Sequence, residues 1–190
     1  MISVSQALDL AWTHYQADRL DQAEQLYRQI LEVDANQADA LHLLGVIAGR
    51  KGQNDLAIDY LNAALRLKPD FAGAHNNLGN VFILQGKLLE AVASFQQAVR
   101  FQPDFAVAHS NLGNALREQG QLAEAVASLQ QALRLRPDFA EAHFNLGLAL
   151  ERQGKLAEAE ASFRQAVRLK PDHAEAHVQL RLILERQGKH

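Results

Sequence analysis

The sequence predicts an all-α fold, an α-solenoid built from five helix–turn–helix units and one final helix. Three observations lead to this prediction. Pro69, Pro103, Pro137 and Pro171 are each 34 residues apart, and a fixed period of about 20–50 residues indicates stacked repeats. Between the prolines, apolar residues recur at spacings of three and four, as on one face of an α-helix. A glycine near the middle of the unit, such as Gly86, ends a first helix before a second begins.

The period also sets the bounds of the units. They are 4–37, 38–71, 72–105, 106–139 and 140–173, followed by a terminal helix in 174–190. No low-complexity linker lies between two units. Residues 1–190 are therefore predicted to form a single array without an internal domain boundary.

The unit 72–105 illustrates how the two helices follow from the residues. The first helix carries its apolar face at positions i, i+3, i+4 and i+7, occupied by His75, Leu78, Gly79 and Phe82. The second helix, after Gly86, repeats the same spacing from Leu88 onward. Pro103 ends it, because proline lacks a backbone N–H and clashes with the preceding helical turn.

Two helix starts are predicted from acidic residues. Asp138 and Asp172 each stand three residues before a glutamate, at Glu141 and Glu175. An N-cap acceptor followed three residues later by Glu is the pattern of a capping box. The first helices of the last units are therefore expected to begin directly after these aspartates.

Small and large residues recur at fixed positions of the two helices. The first helices carry a glycine at 45, 79, 113 and 147, and the second helices carry large residues at Tyr27, Leu61, Phe95, Leu129 and Phe163. A glycine inside a helix costs about 1 kcal/mol relative to alanine. A chain that repeats this cost needs the space, so the glycines are predicted to allow close contact within each hairpin.

Composition excludes several classes of protein. The chain has no cysteine, so thiolate metal sites, disulfides and cysteine nucleophiles are ruled out. A net charge of −3 argues against a nucleic-acid-binding protein, which usually carries a strongly basic surface. No apolar run is long enough to span a membrane, and the N-terminus lacks the basic start of a secretory signal. We expect a cytoplasmic protein without a cofactor and, because no acid, base and nucleophile converge, without enzymatic activity.

The unit resembles the tetratricopeptide repeat (TPR), with Leu-Gly in the first helix, Ala and a large residue in the second, and Pro at the end. The resemblance covers essentially the whole chain. The first unit departs from it, with Ala11, Asp18 and Ala35 in place of the helix Gly, the turn Gly and the Pro; terminal repeats are often atypical. The resemblance implies a right-handed α-solenoid (superhelix) that acts as a scaffold binding a protein or peptide partner.

The amino-acid sequence of the central units, which includes "PDFAEAHFNLG", is similar to the repeats of O-linked N-acetylglucosamine transferases and their bacterial relatives. That resemblance implies a ladder of asparagines on the inner face that holds the backbone of an extended peptide. The matching residues are Asn77, Asn111 and Asn145. The ladder breaks at Leu43 and changes to Gln179, and a glycosyltransferase domain has no counterpart in the chain.

Helix geometry gives an independent reason to consider the asparagines. At 100° per residue, Asn77 and Asn80 lie opposite the hairpin contact, as do Asn111 and Asn114, and so face the predicted groove. A side-chain amide both donates and accepts, so it can pair with a peptide backbone. Side-chain selectivity is assigned to five neighbours: Asn76, Ser110, Phe144, Arg117 and Arg152. The alternative is that the asparagines are solvated or bond a neighbouring helix as part of repeat packing.

The recurring histidines, His75, His109, His143 and His177, are predicted to be packing residues. Zinc ligands lie about 2 Å from the ion, whereas successive packed helices are about 8–10 Å apart. Adventitious metal binding by His173 and His177, at i and i+4, is the weaker alternative.

The terminal helix gives two conflicting signals. Arg181 occupies the position of the glycines and would obstruct a second helix, which indicates a capping helix. Leu180 and Leu184 nevertheless continue the apolar face, which favours self-association through this helix. Three functions are consistent with the sequence: a scaffold for an extended peptide, a substrate-recognition arm cut from a glycosyltransferase-like enzyme, and a self-assembling structural array.

Overall fold

The computed structural model describes residues 3–188, and all regular structure in that range is α-helical. The helices divide between two compact units, one that ends at Phe101 and one that begins at Gln102. The prediction of an all-α fold of helix–turn–helix pairs is confirmed. The prediction that 1–190 forms a single array stays a prediction.

Unit 1 contains three helical hairpins. Their helices are α1 (Val4–Gln16), α2 (Leu20–Val33), α3 (Ala38–Arg50), α4 (Asn54–Leu67), α5 (Ala72–Leu84) and α6 (Leu88–Phe101). Each first helix packs on its own second helix, and each hairpin packs on the next one within the unit. We call α1, α3 and α5 the first helices of unit 1.

Unit 2 contains two hairpins and a final helix. Its helices are α7 (Ala106–Glu118), α8 (Leu122–Leu135), α9 (Ala140–Arg152), α10 (Leu156–Leu169) and α11 (Ala174–Arg186). The terminal helix predicted in 174–190 is thus present as α11, with residues 189 and 190 of that prediction outside the described range. None of the helices found between residues 3 and 188 is long and apolar enough to cross a bilayer.

The turn inside each hairpin uses a residue in the left-handed backbone conformation. Gly86 has φ +71°, a conformation that glycine adopts without a steric penalty. The equivalent residue of the first hairpin is Asp18, which takes φ +58° despite its side chain. Aspartate is one of the few residues that tolerates this region, so the departure in the first unit preserves the turn.

The capping boxes predicted at Asp138 and Asp172 are wrong. The helices α9 and α11 begin two residues later, and their N-cap residues, Phe139 and His173, make no side-chain capping hydrogen bond. The first of these aspartates instead lies in a tight turn that is closed by a bond from the Phe139 amide to the carbonyl oxygen of Arg136. A capping box does occur at Ser3, whose side chain accepts from the amide of Gln6.

The recurring histidines stabilise this turn. In each case Nε2 lies 2.8–3.0 Å from the carbonyl oxygen of the proline six residues earlier: His75 to Pro69, His109 to Pro103, His143 to Pro137 and His177 to Pro171. The ring N–H therefore donates to the turn that precedes a helix whose N-cap side chain supplies no bond. The hydrogen bond gives a reason for histidine at this position. His177 is exposed and the other three are half-buried, so a shared packing role stays a prediction.

The predicted contact between small and large residues is confirmed in the hairpins. A Cβ atom placed on Gly79 would lie 2.6 Å from Cε1 of Phe95, and one on Gly147 would lie 2.5 Å from Cε1 of Phe163. Gly45 faces Leu61 and Gly113 faces Leu129 at 2.7 and 2.5 Å in the same way. These separations are far below van der Waals contact, so only glycine fits.

We predict that Gly79→Ala lowers the free energy of unfolding by on the order of 2 kcal/mol, because overpacking against the Phe95 ring outweighs the gain in helix propensity. Urea denaturation followed by circular dichroism measures the change. The matched control is Gly49→Ala, whose new Cβ would lie 3.7 Å from Val81. It should raise stability by up to about 1 kcal/mol; equal destabilisation of both variants would contradict the steric explanation.

Tyr27 gives a second prediction about stability. Its side chain is fully buried, burial raises its pKa to about 12, and its hydroxyl has no hydrogen-bond partner within residues 3–188. The equivalent residues Phe95 and Phe163 lack this hydroxyl. Tyr27→Phe should therefore raise the free energy of unfolding by about 1 kcal/mol. A midpoint of urea denaturation that stays unchanged or falls would show that the hydroxyl is not a liability.

Candidate functional site

A pocket lies between the first helices α3 and α5 of unit 1. It has a volume of about 280 Å³. The walls are apolar and the rim is polar: the walls come from Gly45, Val46, Gly49, Leu61, Val81 and Leu84, and the rim from Arg50, Asn77 and Asn80. We call this the α3–α5 pocket. Its rim asparagines are two of those that the sequence assigned to the groove.

The pocket depends on a missing side chain at position 49. Equivalent positions of the following units hold Ile83, Arg117 and Glu151. Gly49 leaves the space beside Val81 open, and a Cβ there would have only ordinary contacts. Unlike the glycines of the hairpin contact, Gly49 is therefore not required for packing.

Asn77 is held by a neighbouring hairpin. Its Nδ2 lies 2.7 Å from Nε2 of His42 on α3. The amide nitrogen can only donate, so the histidine nitrogen accepts and the ring is neutral. Burial lowers the pKa of His42 to about 4, against smaller opposing effects of the Asp39 carboxylate and a backbone bond at Gly73. The asparagine thus has a packing contact, as the alternative interpretation predicted, while it also lines the pocket.

Arg50 lies at the rim as half of an ion pair. Its Nη2 lies 2.5 Å from Oδ1 of Asp18, and its guanidinium lies 5.7 Å from the centre of the Tyr15 ring. The Arg50 side chain is 44% exposed and the Asp18 side chain is 75% exposed. A pair this exposed contributes little stability, but it balances the charge of the guanidinium at the pocket.

In unit 2, the asparagines lie on α7 and α9. Asn111, Asn114 and Asn145 are each half-buried. Asn114 accepts a hydrogen bond from Arg117 at 2.7 Å, and Asn111 also has an interaction partner. Asn145 makes no side-chain hydrogen bond to another residue of the described range. Its amide is therefore available to a partner.

Several residues assigned to side-chain selectivity are buried. Asn76, Ser110 and Arg117 are 5%, 3% and 8% exposed. The first two share one position of the repeat, directly before the asparagine rungs. A role in reading a partner's side chains has no support at residues with so little surface.

Aromatic contacts show the role, within each unit, of the repeat position directly before the asparagine rungs. In unit 2 it holds Phe144, whose ring lies 4.7 Å from that of His173 in the segment leading to α11. In unit 1 it holds His42, whose ring lies 4.6 Å from that of Phe71 in the segment leading to α5. Phe144 and His42 thus contact the start of the following first helix, which is a packing role.

Arg117, the third buried residue, differs from the other two because it is charged and paired. Its guanidinium pairs with Glu118 at 2.6 Å, and burial lowers its pKa. Its carbonyl oxygen accepts a bond of 3.0 Å from Arg152. The Arg152 side chain is 48% exposed. Of the two arginines predicted to contact a partner, only Arg152 has surface to do so.

The terminal helix α11 packs against α10. Arg181 is exposed and lies 3.3 Å from Glu185, while Leu180 and Leu184 are half-buried. His173 lies 3.1 Å from Glu175, and His177 bonds the turn. No group of three or more metal-ligating side chains occurs in the range 3–188.

Two functional candidates were missed from the sequence. His42 occupies a position where no other unit has histidine, and Gly49 one where later units have long side chains. Both are departures from the repeat, and a comparison of each position across the units would have found them.

Comparisons with known proteins agree with the architecture. The TPR repeat family matches residues 49–86, 79–116 and 113–154, and further tetratricopeptide repeat matches cover 140–173 and 4–33.

Solved structures with the same fold include YrrB, TTC0263 and PilF. YrrB, a TPR protein with an unusual peptide-binding site, is 24% identical with a TM-score of 0.73, over 90% of this chain and 88% of YrrB. TTC0263, a thermophilic TPR protein of Thermus thermophilus, is 24% identical with a TM-score of 0.72, over 96% and 99% of the chains. PilF of Pseudomonas aeruginosa is 20% identical with a TM-score of 0.88, over 97% and 84%. Likeness at these identities establishes the fold alone.

Because His42 is neutral in the folded chain, we predict that the free energy of unfolding falls at acid pH. Because its pKa is lowered to about 4 in the folded chain, the unfolded state binds the proton more readily. Stability is therefore complete above about pH 6.5 and is lost as the pH falls toward 4. We expect a loss on the order of 2 kcal/mol from His42 between pH 7 and pH 4.5.

His42→Asn, which introduces the residue found at position 76, should flatten this part of the pH profile. Urea denaturation of both proteins across the range gives the difference. Parallel profiles for the two proteins would show that His42 does not titrate as described.

Proposed function

Because this chain belongs to the tetratricopeptide repeat family, we propose that it is a protein-interaction scaffold that binds an extended segment of a partner protein along its first helices. The observation that carries the proposal is the α3–α5 pocket of unit 1, where side-chain amides of Asn77 and Asn80 border an apolar cavity. Such a combination suits a polypeptide, which offers backbone amides and apolar side chains in alternation.

The asparagine side chains supply the hydrogen bonds. An extended peptide leaves its backbone N–H and C=O groups unpaired, and each amide side chain can both donate to and accept from them. Asn77 donates to His42, so its carbonyl oxygen is oriented to accept from a peptide N–H. Hydrogen bonds to the backbone do not depend on sequence, which is useful to a scaffold with several clients.

Unit 2 offers the same chemistry on its own first helices. Asn145 has no partner within the described range, and Asn114 is oriented by Arg117. Arg152 is 48% exposed on α9, where it bonds the Arg117 carbonyl oxygen and lies 3.8 Å from Glu118; its exposed part can contact the peptide. The proposal therefore assigns to unit 2 a second set of backbone contacts, centred on Asn111 and Asn145.

YrrB supports the ligand class, since that TPR protein has a peptide-binding site. The other roles consistent with the sequence remain predictions. A recognition arm of a glycosyltransferase-like enzyme would use the same asparagines, so it differs in the partner and not in the binding chemistry. A structural array would instead assemble through α11, and sedimentation at rising protein concentration would reveal it.

The proposal predicts that replacing the three rung asparagines strongly weakens peptide binding. Peptides are first selected on an array of acetylated, randomised sequences, and their affinities are then measured by fluorescence polarisation. Each lost hydrogen bond costs about 1 kcal/mol, so the variant with Asn77→Ala, Asn111→Ala and Asn145→Ala should bind on the order of a hundredfold more weakly. A variant with Asn77→Ala alone reports on unit 1, and a variant with Asn111→Ala and Asn145→Ala reports on unit 2.

A variant with Asn36→Ala and Asn62→Ala serves as the matched control. These asparagines lie in the loop before α3 and on the second helix α4, away from the first-helix faces. The control should bind like the unaltered protein, and all variants should keep their helical circular dichroism. Unchanged affinity in the triple variant would refute the asparagine ladder.

A further inference from the structure

We propose that the α3–α5 pocket is a subsite for a single uncharged aliphatic side chain of the bound segment, of the size of leucine or isoleucine. This inference rests on the proposed function, because it names which peptides unit 1 selects. It assigns specificity to Gly49, Val46 and Leu84, in addition to the backbone contacts of the asparagines.

The pocket has room for an aliphatic side chain. Its volume of about 280 Å³ exceeds the roughly 150 Å³ of a cavity that holds benzene, so leucine or isoleucine can enter without a clash. The space arises from the exchange of a long side chain for glycine at position 49, where the next unit has Ile83. A Cβ atom at Gly49 would have only ordinary contacts, so a partner can place an aliphatic group in the space that this glycine leaves open.

The walls determine the polarity of the occupant. Val46, Val81 and Leu61 present only hydrocarbon to the cavity, and Leu84 is left 67% exposed at its mouth. A ligand side chain that covers Leu84 would remove this apolar surface from water, which is favourable. Aliphatic groups are therefore preferred over polar ones.

The charges at the rim exclude a charged occupant. Among the described residues that line the pocket, Arg50 alone is charged, and it is already paired with Asp18. A lysine or arginine would meet the guanidinium without a free carboxylate, and an acid would have to displace Asp18. A neutral side chain disturbs neither partner.

The rim amides connect the subsite to the backbone contacts. Asn77 and Asn80 border the same cavity that the aliphatic group would enter. A residue whose side chain fills the pocket thus has its own peptide groups next to these amides. The minimal ligand is an aliphatic amino acid with an amide on each side.

N-acetyl-L-leucine N′-methylamide is that minimal ligand and is the probe for the test. It is titrated at millimolar concentration into the ¹⁵N-labelled full chain, next to the glycine and lysine analogues. We expect saturable shifts of the Gly45 and Gly49 amide signals and of the Asn77 and Asn80 side-chain signals with the leucine probe. The glycine and lysine analogues should bind at least about tenfold more weakly.

Two variants complete the design. Gly49→Ile fills the cavity with the residue of position 83 and should remove the response to the leucine probe. Ala93→Ile adds the same side chain at an exposed position of α6 and should leave the response unchanged. Helical circular dichroism verifies that both are folded, and Gly49→Ala provides a smaller filling group with an intermediate effect.

Each result separates this inference from the proposed function. Leucine shifts that persist in Gly49→Ile, or that spread over residues away from the pocket, overturn the subsite. Array peptides that bind Gly49→Ile as tightly as the unaltered chain also overturn it, while peptide binding itself stands. A response to the leucine probe without any bound array peptide supports the subsite and counts against the scaffold. If the unaltered chain sediments as a dimer and Gly49→Ile as a monomer, a second copy of the chain fills the pocket. That result would also overturn the subsite.

Discussion

The structure depends on a contact between a glycine and a large side chain, which occurs in four of the five described hairpins. Gly79 against Phe95 and Gly147 against Phe163 bring the backbone of a first helix onto the ring of its partner, with no room for even one methyl group. This contact fixes the distance between the two helices. It thereby fixes which residues of the first helix are covered by its partner helix; in unit 1, Gly45 and Leu61 of this contact also line the α3–α5 pocket.

Much of the fold could be predicted from the sequence, because the repeat displays its constraints several times. The period, the hairpin glycines and the turn glycines each have a single physical explanation, and the helices follow from them. The starts of α9 and α11 were misjudged, since Asp138 in a Pro-Asp turn has the same local pattern as an N-cap. Local patterns cannot show that the chain needs one further residue, Phe139 or His173, before the helix begins.

The site was less predictable than the fold. Helical geometry separated the hairpin contact from the opposite side of the helix. It could not show how many residues of a first helix are buried by the neighbouring hairpin. Asn76 and Ser110 are buried, whereas Asn80, four residues after the first of them, is exposed. His42 and Gly49 are single departures from the repeat, and the α3–α5 pocket depends on the second of them. Repetition makes such departures easy to overlook.

The bond from each repeated histidine to a proline carbonyl has a consequence for folding. Donor and acceptor are only six residues apart, and helix partners within a hairpin are adjacent in the chain. Most ordering steps thus close short loops, for which the entropic cost is small. Chains dominated by such local closures have low contact order and fold rapidly. Nucleation can begin in any hairpin, so substitutions that change the surface of one repeat leave the others able to start folding.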